Sequence, residues 1–428
     1  MKTDIAKVVG RRIWDSRGRP TVEVEVELAD GSRGRGIAPA GASAGSNEAV
    51  ELRDGGAAFG GYGVERALAN VRDIIAPALV GQPAADQARI DALLVELDGT
   101  QNFSRLGSNA AVSTSMAVLN SAAAAGHVPL WRYLAGPDDV RLPLPEIQIF
   151  GGGAHAGRRI DIQDLLIMPV GAGTFDEALA MAADVYRAAG QWMAEKGALA
   201  GVADEGGWWP NFGSNEEALD ALTGSIERAG YRHAEVMISV DIAASEFGAN
   251  GRYRLALENA EYDRDAWLDV LSGWMAKYPI LSVEDPFGED DGEGMRAFTR
   301  RFGHAVQVVG DDYLVTSAER VRQAVAHSAC NAVLLKPNQA GTITATHDAM
   351  LEAKKAGWGT VVSARSGETE DVTIVHLATG WNAGQLKVGS FARSERMAKW
   401  NEGLRIADEL GAAAVFAGMG ALPVAART

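Results

Sequence analysis

Three acids stand at the ends of short apolar runs. Asp241 closes residues 236–240, Glu284 closes 280–283, and Asp311 follows 306–310. They make an oxygen-only ligand set of the kind Mg²⁺ takes, with water or substrate oxygens completing its shell. The same acids would equally serve as caps of following helices or partners of nearby Lys and Arg. Lys336 follows the run 332–335 and Lys387 follows Leu386. A lysine that is partly desolvated beside a divalent cation has a depressed pKa and can act as a general base. The cation would then stabilise the enediolate left when a proton leaves the carbon next to a carboxylate; two structural ion pairs are the alternative. Glu205 lies in DEGGWWPN (204–211), too rich in glycine and aromatics for a helix, where an acid could exchange protons with the other face of a substrate. GGGAHAG (151–157) suggests a mobile loop carrying His155, a residue that reads as well as a structural one. The seven histidines show no zinc-like spacing, and no G-x-G-x-x-G or Walker pattern supports nucleotide binding.

These groups need an element that gathers strand ends. Apolar runs alternating with helical stretches after about residue 143 predict a parallel sheet with crossover helices. Six runs in succession end at or near a charged residue, Arg365 after 360–363 among them. In a closed barrel the carboxyl ends of strands meet on one face, so the expectation is an α/β fold: a (β/α)₈ barrel with its polar groups at the mouth. The first part reads as α+β. Residues 21–28 alternate with period two, as a half-buried antiparallel strand does. Asp30-Gly31 then turns the chain into a second strand near 33–38, and helical spacing runs from about 64 to 134. The stretch 110–126 is rich in small residues and reads as a packing helix. The expected division is a capping domain at 1–135 and a barrel at 143–428, with the Pro-rich stretch 142–145 between them.

Composition narrows the partners. With 40 Lys+Arg against 56 Asp+Glu in 428 residues, the formal charge is −16. That argues against general nucleic-acid binding and against an anionic membrane surface. The single cysteine, Cys330, excludes an internal disulfide framework. The amino terminus lacks an apolar signal core and no apolar stretch approaches ~18 residues, so a cytoplasmic protein is expected.

Taken in order, the sequence resembles the enolases. The resemblance rests on IWDSRGRPTVEV (13–24), the Gly41-Ala42-Ser43 loop with 48–55, the Gly-Gly-Ala-His loop, Asp204-Glu205-Gly206-Gly207, 363–371 and Ala392-Arg393-Ser394-Glu395-Arg396. It runs from near residue 10 to about Gly411. It implies an amino-terminal α+β cap on a modified (β/α)₈ barrel, assembled as a homodimer or a multiple of dimers. Asp241, Glu284 and Asp311 would hold the main Mg²⁺, and Ser43 would help with a second that arrives with substrate. Lys336 would take the C2 proton and Lys387 would contact the substrate carboxylate. Glu205 would work at the departing hydroxyl, while His155, Arg365 and Ser366 surround the phosphate.

Two departures stand out. The family's S-H-R-S-G-E-T-E-D segment has Ala364 in place of histidine, and its glutamate after glutamine is Asp164 here, after Gln163. Asp is one methylene shorter, so a catalytic carboxylate at 164 would retreat by ~1.5 Å, enough to damage a positioned proton transfer. Both changes fall on residues that attend the substrate's hydroxymethyl end. The expectation is therefore that enolate chemistry survives while ordinary dehydration of 2-phosphoglycerate is impaired or replaced. The favoured reading is a carboxyphosphonoenolpyruvate synthase of phosphonate antibiotic biosynthesis, joining a nucleotide-activated phosphonate to a three-carbon enol acid. Arg158 and Arg159 would meet the extra anionic charge, or else are two solvated surface residues. The alternatives are an ordinary enolase and a non-catalytic enolase-like scaffold.

Overall fold

The computed structural model describes residues 3–42 and 45–424. Strands β1 (Ile5–Trp14), β2 (Pro20–Leu28) and β3 (Arg33–Ile37) form an antiparallel sheet with β2 central. The period-two alternation in β2 sends Val22, Val24, Val26 and Leu28 into the core, each burial stabilising by roughly 1.5–3 kcal/mol. On the other face Glu23 is also buried, held by Arg11 at 2.5 Å. Helix α1 (Gln87–Asp98) follows, and then the small-residue helix α2 (Ser108–Ala125), which is buried over most of its length. Its close approach to β3 requires Gly34 and Gly36. An added Cβ at either would lie within 2.5 Å of the helix backbone.

Eight strands close the barrel. They are β4 (Leu144–Gly151), β5 (Asp164–Met168), β6 (Met237–Asp241), β7 (Ile280–Glu284), β8 (Gln307–Gly310), β9 (Ala332–Leu335), β10 (Gly359–Ser363) and β11 (Gly384–Ser390), in the order β7-β8-β9-β10-β11-β4-β5-β6. The barrel is not wholly parallel. β5 runs antiparallel to β4 and β6, which corrects the all-parallel expectation. The reversal has a direct consequence at the mouth. The first residue of β5, Asp164, pairs with Gly151 and Asp241, the last residues of its neighbours. An acid at a strand's beginning thereby joins acids at the others' ends. The strand-end reading also needs amending at Lys387, which lies inside β11 just before a register shift, with Gly389 at φ +108°.

Below the mouth the barrel interior carries polar side chains that bond one another, although Glu146 Oε1 is left without a partner among the described residues. Gln307 and Gln385 exchange hydrogen bonds of 2.9 and 2.8 Å, and Gln307 also donates to Ser282 at 3.1 Å. Cap and barrel are joined by buried Asp91 of α1. Its Oδ1 accepts from Ser115 at 2.6 Å, and its Oδ2 accepts from the backbone N–H of Thr344 at 2.8 Å, near the start of helix α3 (Ile343–Lys355). An acid there also complements the helix dipole.

Candidate active site at the barrel mouth

Asp241, Glu284 and Asp311 are all buried at one end of the barrel. Their unlike strands meet because β6 and β7 are in register at Asp241 and Glu284, while the chain leaving β8 turns at once through Asp311. That turn is held by Asp285, whose carboxylate accepts from the backbone N–H groups of Asp311 at 3.0 Å and Asp312 at 2.6 Å.

Such charges cannot stay buried unpaired. Lys387 Nζ lies 3.0 Å from Asp241 Oδ2, 2.8 Å from Glu284 Oε2 and 3.7 Å from Asp164 Oδ2. Lys336 Nζ bonds to Asp311 Oδ2, whose other oxygen accepts from Gln339 at 3.0 Å. Gln163 donates to Asp241 at 3.2 Å. Glu284 Oε1 is buried and has no hydrogen-bond partner among the described residues. Burial, reinforced by Asp241, holds the Glu284 carboxyl well above the usual range, although Lys387 works the other way. Burial would raise Asp311, but Lys336, with Arg365 and Lys387 behind it, prevails and the carboxyl is lowered. An orphaned carboxylate oxygen within an all-oxygen acidic set suits a hard divalent cation.

Lys336 does not have the depressed pKa expected of a base. Burial lowers it, but the adjoining Asp311 carboxylate, with Glu284 behind it, prevails, so the group stands above its ordinary value. A divalent cation on Asp311 would take up that carboxylate's charge and remove the cause.

A second cluster adjoins the first. His155, in a 3₁₀ turn (Gly153–Ala156), places Nδ1 2.9 Å from Asp164 Oδ1 and Nε2 3.7 Å from Glu205 Oε1, with all three residues buried. Burial disfavours the imidazolium, but the charges of Asp164 and Glu205 prevail and push its pKa up to about 9. The two acids move apart. Asp164 is raised, chiefly by burial, whereas at Glu205 burial is overcome by His155, Arg396, Lys387 and Lys336 together, which lower it. Opposed shifts in neighbouring acids are how one site holds a proton donor beside a carboxylate.

Arg365 and Ser366 follow β10. Glu48, from the cap, receives the Arg365 guanidinium at 2.9 and 3.2 Å, an anion where the resemblance puts a phosphate. His155, Asp164, Glu205, Asp241, Lys336, Ala364, Arg365, Ser366 and Lys387 all line one small cavity. Ser43 lies outside the described residues. Arg158 and Arg159 do not face the cavity. Arg158 pairs with Glu246 at 2.6 Å and Arg159 donates to Asn211 at 3.1 Å, both on the surface, which corrects the role expected of them. Gln148, Gln163, Gln339 and Glu48 also shape the site, in roles the sequence does not show, because neutral amides and a loop acid carry no spacing signal.

Residues 139–424 match the family model for the enolase C-terminal TIM barrel domain, and residues 5–134 match that for the enolase N-terminal domain. The chain belongs to the enolase family. It is 49% identical over 425 residues to Enolase 1 of Desulfitobacterium hafniense (98% of this chain, 97% of the relative). It is 48% identical over 420 residues to the enolase of Acidothermus cellulolyticus (98% and 97%) and 47% over 421 residues to that of Rubrobacter xylanophilus (98% of each). As an enolase-family enzyme it is a Mg²⁺-dependent lyase, in keeping with its acidic mouth. No helix among the described residues is long and apolar enough to cross a membrane.

The cluster predicts an unusual titration. In metal-free protein the His155 imidazole should titrate near pH 9 by NMR, above its ordinary 6.5. Asp164→Asn removes the leading raising charge and should bring the midpoint down towards 6.5 or below. A parent midpoint near 6.5, or one that the substitution leaves in place, contradicts the assigned interaction.

Proposed function

We propose that this enzyme removes water from 2-phosphoglycerate to give phosphoenolpyruvate. The observation that carries the reading is that Lys336, Glu205 and the acid-bound Lys387 share one small buried cavity with Arg365. Asp241, Glu284 and Asp311 would hold Mg²⁺, and Ser43 would help hold a second ion that arrives with substrate. When bound, the metal would supply positive charge beside the substrate carboxylate. Lys336 Nζ takes the C2 proton and Lys387 contacts the carboxylate. Glu205 and Asp164 attend the C3 hydroxyl, which leaves as water when the C3–O bond breaks and the C2–C3 double bond forms. Arg365, Ser366 and His155 hold the phosphate, Arg365 exchanging Glu48 for it. The relatives named enolase support this reaction over the phosphonate transfer that the sequence departures favoured.

One observation favours the second reading, a carboxyphosphonoenolpyruvate synthase. The cavity has Ala364 and the shorter Asp164 on its wall with Glu205, the acid proposed to work at the hydroxymethyl end. A nucleotide-activated phosphonate would then be the second substrate. Arg158 and Arg159, engaged elsewhere, lend that reading nothing.

We also propose a cytoplasmic homodimer. Trp14 is 51% exposed and Phe59 44%, packed edge to face at 5.5 Å with the Arg12 guanidinium 5.0 Å above Phe59. A second copy covering this patch would remove it from water, and sedimentation at a monomer mass would refute the assembly.

Two outcomes are expected. With Mg²⁺ and 2-phosphoglycerate, enol absorbance should rise, and Ala364→His with Asp164→Glu should raise the rate by ~10-fold or more, within the range proton transfer supplies. No dehydration by the parent, with C2 exchange intact, would favour the second reading. Lys336→Ala should abolish exchange of the C2 proton with deuterium while Mg²⁺ binds at least as tightly, since Asp311 loses a competing ammonium. Persistent exchange would show that another group is the base.

A further inference from the structure

Gln148, fully buried in β4, touches both halves of the second cluster. Its Nε2 donates to Asp164 Oδ1, and its Oε1 accepts from the backbone N–H of Gly207 at 2.9 Å, two residues beyond Glu205. The Gly207 N–H can only donate, so the amide has one workable orientation: oxygen towards Gly207, NH₂ towards Asp164. Asp164 Oδ1 also receives His155 Nδ1 at 2.9 Å. Two donors thus engage one carboxylate oxygen. The other, Oδ2, has no hydrogen-bond partner among the described residues and stands 3.7 Å from Lys387 Nζ.

The surroundings are shaped to admit this amide. A Cβ on Gly207 would lie 2.4 Å from Gln148 Oε1, and one on Gly151 would lie 3.3 Å from the same atom. The loop is pinned nearby, with the Trp208 N–H donating to Ile149 O at 2.8 Å and the Gly151 N–H to Trp208 O at 3.3 Å. Gln148 therefore sits in a notch between two glycines, bridging the strand that bears it to the Glu205 loop.

We propose that Gln148 is a positioning residue for the leaving-group end of the site. It fixes which oxygen Asp164 presents to the cavity and couples that choice to the seating of Glu205. The assignment rests on the reading above that these two acids act at the C3 hydroxyl. It explains how a carboxylate shortened by one methylene keeps a defined direction: Oδ1 is anchored by two donors and Oδ2 is left on the side of Lys387.

The test uses the full-length Mg²⁺-loaded enzyme, with Gln148→Met, similar in length but without an amide, and Gln148→Glu, which keeps the volume but cannot donate when ionised. Two rates are measured on 2-phosphoglycerate: C2 deuterium exchange, which reports Lys336, and loss of water, which reports the leaving-group end. Both variants should keep exchange within about threefold of the parent and KM nearly unchanged, while dehydration falls by ~10²-fold, as expected for a misplaced reacting group. Parallel loss of both rates, or dehydration within threefold of the parent, overturns the assignment. If the parent exchanges but never dehydrates, the dehydration reading has failed on its own, and the His155 Nδ1–H resonance then decides. Its loss or broadening in Gln148→Met supports the positioning role, and an unchanged signal overturns it.

Discussion

The arrangement depends on one electrostatic constraint: a barrel mouth with more buried carboxylates than it can keep ionised without cations beside them. Removing each ion from water costs several kcal/mol even after relaxation. Asp241, Glu284, Asp311 and Asp164 meet that cost through Lys387 and Lys336, through His155, and through amides from Gln163 and Gln339. The compensation is incomplete at Glu284, whose Oε1 is left without a hydrogen-bond donor among the described residues. A site built in this way favours a divalent cation for a physical reason. An ion held by these acids would give the orphaned oxygen a partner and leave Lys387 and Lys336 with less carboxylate charge to neutralise.

The fold delivers the constraint through a departure from regularity. A uniformly parallel barrel would put the first residue of β5 at the far end, away from Asp241. Reversing this strand brings Asp164 to the mouth, where it meets His155 and lies 3.7 Å from Lys387. The cap then contributes Glu48, which holds Arg365, so the guanidinium proposed to meet the phosphate and the cap loop are linked to each other. Substrate phosphate, as a competing anion, would reorganise both together.

Much of this was legible in the sequence, for identifiable reasons. A strand that ends in a charged residue leaves a visible mark, which is why Asp241, Glu284, Asp311 and Lys336 could be gathered before any coordinates. Alternation exposed β2, and small residues exposed α2. The reversal of β5 was not legible, because an apolar run looks the same in either direction; Asp164 entered only through family likeness. Gln148 was invisible because an amide's role depends on what lies across the barrel from it. Arg158 and Arg159 misled for the opposite reason: their charge is conspicuous in sequence, yet partners on the surface, Glu246 and Asn211, hold them away from the site. Ala364 and Asp164 point in the sequence to a changed reaction, whereas likeness to an enolase covers 98% of the chain.

Calorimetric titration of Mg²⁺ into the parent protein and into Glu284→Gln tests the central claim most directly. The account predicts a saturable site in the parent that weakens by at least about 100-fold in the variant, since one of three anchoring carboxylates is lost. Circular dichroism should show the variant still folded. Equal affinity in the two proteins would contradict the claim that these buried acids form the cation site.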